Sequence, residues 1–162
     1  MLEVNEIFGP TIQGEGKFVG NPSIFIRFGK CNFRCEGFAV EYETPSGIKK
    51  CSCDSFYAVD PEFKDTWHKM NSNEIINEVK KLEPFYKTDI VITGGEPLLY
   101  WNKDEFQEIL KYYIKNNYKV TIETNASLNI NFTEDYQKEL IFSMSVTLSN
   151  SSEPLKTRVN KH

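Results

Sequence analysis

Apolar positions along this chain follow two different periods, and the switches between them mark its elements. The run Ser23-Ile24-Phe25-Ile26-Arg27-Phe28 is rich in β-branched and aromatic side chains, which predicts a buried strand. Leu2 to Ile7 reads as an opening strand that leads towards a glycine-rich turn, Gln13-Gly14-Glu15-Gly16. Asp89-Ile90-Val91-Ile92 predicts a further strand, ending in Thr93-Gly94-Gly95-Glu96-Pro97. Lys119 to Glu123 predicts another, closed by Thr124-Asn125. Phe142, Met144, Val146 and Leu148 alternate with polar residues, which predicts a strand over 142–148.

Between these runs the period becomes helical. A helix is expected from near Asn71 to about Leu82, where Asn71 and Glu74 have capping-box spacing and Pro84 stops the turn. Asn102 is expected to cap a second helix, with Glu105 at its third position. Phe106, Ile109, Leu110, Tyr113 and Ile114 form the buried stripe of that helix. Strands alternating with helices predict an α/β fold built on a parallel sheet. In such sheets ligands collect at the carboxyl ends of the strands. The unusual stretches fall there: a cysteine loop after Phe28, Gly94 to Pro97, Glu123 to Asn125, and Ser149 to Ser152.

A chain of 162 residues with 40% apolar content is long enough to bury one core, so residues 1–162 are expected to form one domain. The net charge of −4 and the lack of a basic stripe argue against a nucleic-acid partner. The opening MLEVNEIFGP is acidic where a signal peptide needs a basic start, and no apolar run approaches a membrane span. A cytoplasmic location is therefore expected. Thiols stay reduced there, so four cysteines between residues 31 and 53 point to metal binding or catalysis rather than disulfides.

Those cysteines are Cys31, Cys35, Cys51 and Cys53. A zinc ribbon would show two CxxC pairs, a spacing absent here. Three thiolates from one loop suit a four-iron cluster instead, leaving one iron open for an outside ligand. Lys30 and Arg34 beside the loop are expected to lower the thiol pKa values.

The cysteine loop, Gly94-Gly95-Glu96-Pro97 and Glu123-Thr124-Asn125 together resemble radical-SAM enzymes. Within these, Glu6-Ile7-Phe8, Thr11-Ile12-Gln13-Gly14-Glu15-Gly16, Pro22-Ser23 to Arg27 and Cys31-Asn32 resemble the 7-carboxy-7-deazaguanine synthase family. The resemblance covers nearly the whole chain. It implies a partial, open (β/α) barrel with a 4Fe-4S cluster at its C-terminal mouth. It also implies a lyase that cleaves S-adenosylmethionine (SAM) to a 5′-deoxyadenosyl radical. That radical abstracts hydrogen from 6-carboxy-5,6,7,8-tetrahydropterin, which contracts to 7-carboxy-7-deazaguanine with loss of ammonia, feeding queuosine and other deazapurine pathways.

By the same resemblance Cys31 and Cys35 match the first two cluster ligands, and Cys53-Asp54-Ser55 matches the third with its following residues; Cys51 remains the alternative third ligand. Ser55 falls where the family binds Mg2+. SAM contacts fall on Ser52, Cys53, Asp54, Gly95, Glu96, Ser145 and Thr147. Substrate contacts fall on Ile12, Gln13, Gly14, Glu15, Arg27 and Thr93, with Arg27 suited to pairing with the substrate carboxylate. A homodimer and an electron donor such as flavodoxin are implied partners.

The chain departs from the family pattern at several points. Glu36 to Lys50 is an insertion between the cysteines, Thr147 stands where relatives carry lysine, and Asn125-Ala126 replaces Asn-Gly. Relatives also continue past residue 148 with further strands, so the chain is expected to represent the N-terminal part of such an enzyme. Two other readings stand beside the synthase: an activating enzyme of the glycyl-radical activase type, and a non-catalytic iron–sulfur-binding remnant.

Overall fold

A computed structural model describes residues 1–159. In chain order its strands and helices are β1 (Leu2–Ile12), β2 (Pro22–Phe28), β3 (Val40–Glu43), β4 (Lys49–Ser52), α1 (Phe56–Val59), β5 (His68–Met70), α2 (Ser72–Leu82), β6 (Asp89–Gly94), α3 (Asp104–Lys115), β7 (Val120–Thr124), β8 (Ile141–Met144) and α4 (Leu155–Arg158). Six strands form one sheet in the order β5-β1-β2-β6-β7-β8, and β3 pairs with β4 in a separate hairpin. The strands β2, β6, β7 and β8 run parallel, as expected for strand–helix alternation. The sheet stays open rather than closing into a barrel.

The parallel strands alternate strictly, and the two faces do different work. Ile24, Ile26 and Phe28 of β2, Ile90 and Ile92 of β6, and Val120 and Ile122 of β7 are buried in one core cluster. Ile75, Ile76 and Val79 of α2 and Phe106, Ile109, Leu110 and Tyr113 of α3 complete it. Phe28 sits 5.4 Å from Phe106 and 5.3 Å from Tyr100, ring centre to ring centre. By the two-residue period, the other face carries Arg27, Thr93, Glu123 and Ser143. Arg27 is directly opposite Thr93, and Glu123 opposite Ser143, in the strand register. These four side chains form one polar layer near the carboxyl ends of four adjacent strands.

Several expectations need correcting. The sheet is mixed, because β1 runs antiparallel to β2 and β5 antiparallel to β1. β1 also continues to Ile12, beyond the expected Ile7, through register irregularities that bend it along β2. The last strand ends at Met144 and not at residue 148. Met144, Val146 and Leu148 are exposed, so their alternation does not report a buried face. Asn102 does not cap α3: Lys103 occupies that position without a side-chain bond, and Glu105 pairs with the amino terminus of Met1. The Asn71–Glu74 capping box does form, with Glu74 N–H donating to Asn71 Oδ1 at 3.0 Å and Asn71 N–H to Glu74 Oε2 at 2.8 Å. Residues 160–162, which the one-domain expectation included, lie outside the described residues. Among the described residues no helix is long and apolar enough to cross a membrane.

This packing predicts a contrast in stability. Phe106→Ala empties a fully buried aromatic site and costs about 3–5 kcal/mol, whereas Asn71→Ala removes one exposed cap and costs about 1 kcal/mol. Urea unfolding of the two variants checks both the sizes and their order.

Candidate functional site at the strand ends

The cysteine loop lies against the end of β6 because two glycines let it. Gly94 has φ +148°, and a Cβ there would lie 2.2 Å from the Phe28 carbonyl oxygen. A Cβ on Gly95 would lie 2.3 Å from the Lys30 carbonyl oxygen and 2.8 Å from Cys31 Cβ. With no side chains in the way, Gly95 N–H donates to Phe28 O at 3.2 Å and Glu96 N–H to Lys30 O at 2.8 Å. The loop is fixed where it leaves β2.

Glu96 is fully buried and does not line the cleft. Its Oε1 accepts from Leu98 N–H at 2.9 Å and Thr124 Oγ1–H at 2.9 Å, and its Oε2 from Asn125 N–H at 2.8 Å. Burial pushes this carboxyl above its ordinary value, and the three donors work against that shift. Glu96 thus clamps the end of β6 to the end of β7. Asn125, held in this way, donates from Nδ2 to Asn32 Oδ1 at 3.0 Å and reaches Cys31 Sγ at 3.9 Å. Asn32 in turn donates to Ser127 Oγ at 2.8 Å.

A cleft of about 600 Å³ opens above the polar layer of the sheet. Cys31, Cys35 and Cys53 line it, together with Asp54, Ser55, Gly95, Ser145 and Thr147. Glu15, Arg27 and Thr93 also line it. Cys51 does not: it is exposed on β4 and faces a separate surface groove. Of the other expected contacts, Gln13 is fully buried, its Nε2 donating to Glu15 O at 3.1 Å, while Ile12 and Gly14 are exposed. Ser52 is buried behind the thiols, its hydroxyl donating to Arg34 O and approaching Cys53 Sγ at 3.9 Å.

Lys30 and Arg34 do not lower the thiol pKa values as expected. Lys30 pairs with Glu3, and the Arg34 guanidinium donates to the carbonyls of Cys31 and Phe33. Burial instead pushes both the Cys31 and Cys35 thiols up to about 12, with the neighbouring Cys53 adding to both shifts. The polar contacts near the sulfurs act in opposite directions, the Phe33 N–H favouring the Cys31 thiolate and the Glu153 charge raising the Cys35 thiol further. Phe33 N–H donates to Cys31 Sγ at 3.4 Å, and Glu153 Oε1 accepts from Cys35 N–H at 2.9 Å. Cys35 itself has φ +53°, a left-handed position that this bond holds.

Among the described residues no three His, Cys, Asp or Glu side chains close on one point where a single ion could sit. Three thiols around one cleft, with N–H groups of Phe33 and Asn125 approaching Cys31, suit an iron–sulfur cluster.

Sequence reasoning gave no individual role to Glu6 or Glu123, which it quoted only within motifs, and overlooked Tyr57, Ser143 and Glu153. Arg27 is held by Glu6, whose Oε1 accepts from Nε at 2.8 Å, and its guanidinium lies 5.7 Å from the Phe8 ring and 5.8 Å from the Tyr57 ring. Its Nη1 also approaches Ser55 Oγ at 3.4 Å. Burial raises the Glu123 carboxyl, while a bond to Thr93 and the charge of Arg27 oppose the shift. Ser143 Oγ donates to Glu15 Oε1 at 3.2 Å, tying the glycine-rich loop to β8. A signal for the Glu6 pairing was available, since Glu6 and Arg27 are cross-strand partners once β1 and β2 are known to be antiparallel.

A cysteine-lined cleft at the carboxyl ends of a parallel sheet is the arrangement of a radical-SAM domain. The chain matches the Radical SAM superfamily over residues 25–162 and belongs to it. That family works with a 4Fe-4S cluster and SAM. Among its relatives, the 7-carboxy-7-deazaguanine synthase of Bacillus subtilis (strain 168) is 32% identical over 127 residues, covering 78% of this chain and 45% of the relative. The enzyme of that name from Buchnera aphidicola is 39% identical over 124 residues, covering 76% of this chain and 54% of the relative. The crystal structure of QueE from Escherichia coli superimposes with a TM-score of 0.53 at 26% identity, covering 82% of this chain and 56% of that one. The chain spans about half the length of the relatives it matches.

Two predictions follow from the clamp and the buried thiols. Glu96→Gln leaves Asn125 N–H facing an amide donor, costs about 1–3 kcal/mol, and disturbs the contact to Cys31; thermal melting with the spectrum of the reduced cluster reads both. The folded thiols titrate near 12, above their ordinary value of 9.0, so their contribution to metal-free stability is complete below about 9 and is lost as pH rises towards 12. Denaturant midpoints across that window fall less in Cys31→Ala than in the parent chain.

Proposed function

We propose that this chain carries the radical-SAM chemistry of 7-carboxy-7-deazaguanine synthesis, converting 6-carboxy-5,6,7,8-tetrahydropterin to 7-carboxy-7-deazaguanine with loss of ammonia. The observation that carries the reading is the convergence of Cys31, Cys35 and Cys53 with Arg27, Glu15 and Thr93 on one cleft. The names of its relatives agree with it.

In this reading Cys31, Cys35 and Cys53 hold a 4Fe-4S cluster whose fourth iron is left for SAM. The bound cluster and SAM supply the radical that abstracts hydrogen, and the protein positions and shields the reacting groups. Glu6 occupies Arg27 Nε, and the substrate carboxylate takes the outer edge of the guanidinium, where Nη1 otherwise makes only the 3.4 Å contact to Ser55 Oγ. Glu15, fixed by Ser143, accepts from the amine and amide donors of the pterin, and Thr93, oriented by Glu123, contributes a hydroxyl. Asp54, Gly95, Ser145 and Thr147 line the same cleft as the thiols and serve SAM. Ser55, with Asp54 Oδ1 at 3.2 Å, offers the oxygen donors that Mg2+ prefers. The electron comes from an outside donor such as a flavodoxin, and the active form is a homodimer.

A second reading is a cluster-binding unit without turnover. Anaerobic reconstitution with iron and sulfide, reduction, and incubation with SAM and the carboxytetrahydropterin separates the two. 5′-Deoxyadenosine together with the deazaguanine product is the expected result, while an intact reduced cluster that yields neither overturns the proposal. Arg27→Lys, which keeps the charge and loses the two-pronged geometry, is expected to raise the KM for substrate about tenfold, worth about 1.4 kcal/mol, with SAM cleavage retained.

A further inference from the structure

The insertion between the cysteines is a hairpin with a specific attachment. β3 and β4 pair with Val40 opposite Ser52, Glu41 opposite Cys51, and Tyr42 opposite Lys50. The hairpin turns at Thr44–Gly47, where Gly47 N–H donates to Thr44 O at 2.8 Å and Gly47 has φ +84°. Lys50 Nζ lies 2.9 Å from Asp60 Oδ2 and 2.8 Å from Glu62 Oε1. Tyr42 donates to the same Asp60 oxygen at 2.7 Å, and its ring stacks on Phe56 at 4.3 Å and 10°. Asp60 is buried, so these partners compensate a charge held away from water.

Register matters here because Cys51 and Cys53 are two residues apart. A β-strand repeats every two residues, so a slip of β4 by two positions would bring Cys51 to where Cys53 stands. A hairpin of two four-residue strands specifies its register only weakly by pairing alone. The same slip would put Ile48 where Lys50 is and leave the Asp60 and Glu62 carboxylates without their cation.

We propose that Lys50, through Asp60 and Glu62, fixes the register of β4 and so selects Cys53 over Cys51 as the third thiol of the cleft. Lys50 is a positioning residue, and this inference rests on the reading of Cys31, Cys35 and Cys53 as the cluster ligands. Its first test needs no cluster. In the metal-free chain, kept reduced and anaerobic, mass-mapped alkylation by iodoacetamide reads the two cysteines separately. In the parent chain Cys51, exposed, reacts about tenfold faster than the partly buried Cys53. Lys50→Met is expected to bring that ratio close to one while leaving far-UV circular dichroism and the rate at Cys35 unchanged. Lys50→Arg, which preserves both ion pairs, restores it. An unchanged ratio in Lys50→Met overturns the proposal, as does an equal loss in Lys50→Arg. With the cluster loaded, the parent protects Cys53 and not Cys51, whereas Lys50→Met divides protection between the two. Absence of deazaguanine product would count against the proposed reaction and would leave the metal-free ratio untouched.

Discussion

The contact between the Gly94–Gly95 turn and the backbone of Phe28 to Cys31 governs the rest of the site. Two backbone hydrogen bonds form across a gap that no Cβ could enter. That contact brings Cys31, the first of the proposed cluster ligands, to the end of β6, where the buried carboxylate of Glu96 then ties in β7 through Thr124 and Asn125. Three strand ends are thereby locked together, and Asn125 reaches back to the Cys31 sulfur. Buried charge without partners is costly, and here the partners are three hydrogen-bond donors from the segments being joined.

This geometry explains why one sheet face is a core and the other a site. The helices cover Ile92, Ile122 and their neighbours, while the opposite face, one residue out of phase, presents Arg27, Thr93 and Glu123 beside the thiols. The cleft thiols thus come from loops, and the polar layer comes from the strands themselves. Loops can absorb an insertion as large as the β3–β4 hairpin because closing a longer loop adds little entropy. The strand layer could not tolerate a one-residue shift without turning Arg27 into the core.

Much of this was legible in the sequence where the signal was local. The Asn71–Glu74 cap, the buried stripe of α3 and the strand endings near Gly94 and Thr124 all follow from spacing along a few residues. The failures came from tertiary context. Asn102 had the right chemistry for a cap, yet the chain enters α3 one residue later, at Lys103. Val146 and Leu148 alternate like a strand but lie past the last ladder bond, with no partner strand beside them among the described residues. Cys51 and Cys53 could not be separated by sequence, because their distinction depends on where β4 stops and on what Lys50 touches. The clamping bonds of Glu96 were not legible for a similar reason: two of its donors arrive from residues 124 and 125, far along the chain.

The central claim is that Cys31, Cys35 and Cys53, and not Cys51, hold one four-iron cluster in the cleft. Iron and sulfide analysis with Mössbauer spectroscopy on anaerobically reconstituted Cys51→Ala and Cys53→Ala tests it most directly. A Cys51→Ala chain with the parent's cluster content and spectrum, beside a Cys53→Ala chain that loses most of it, is the predicted result. Equal losses in the two variants, or a loss confined to Cys51→Ala, would contradict the account.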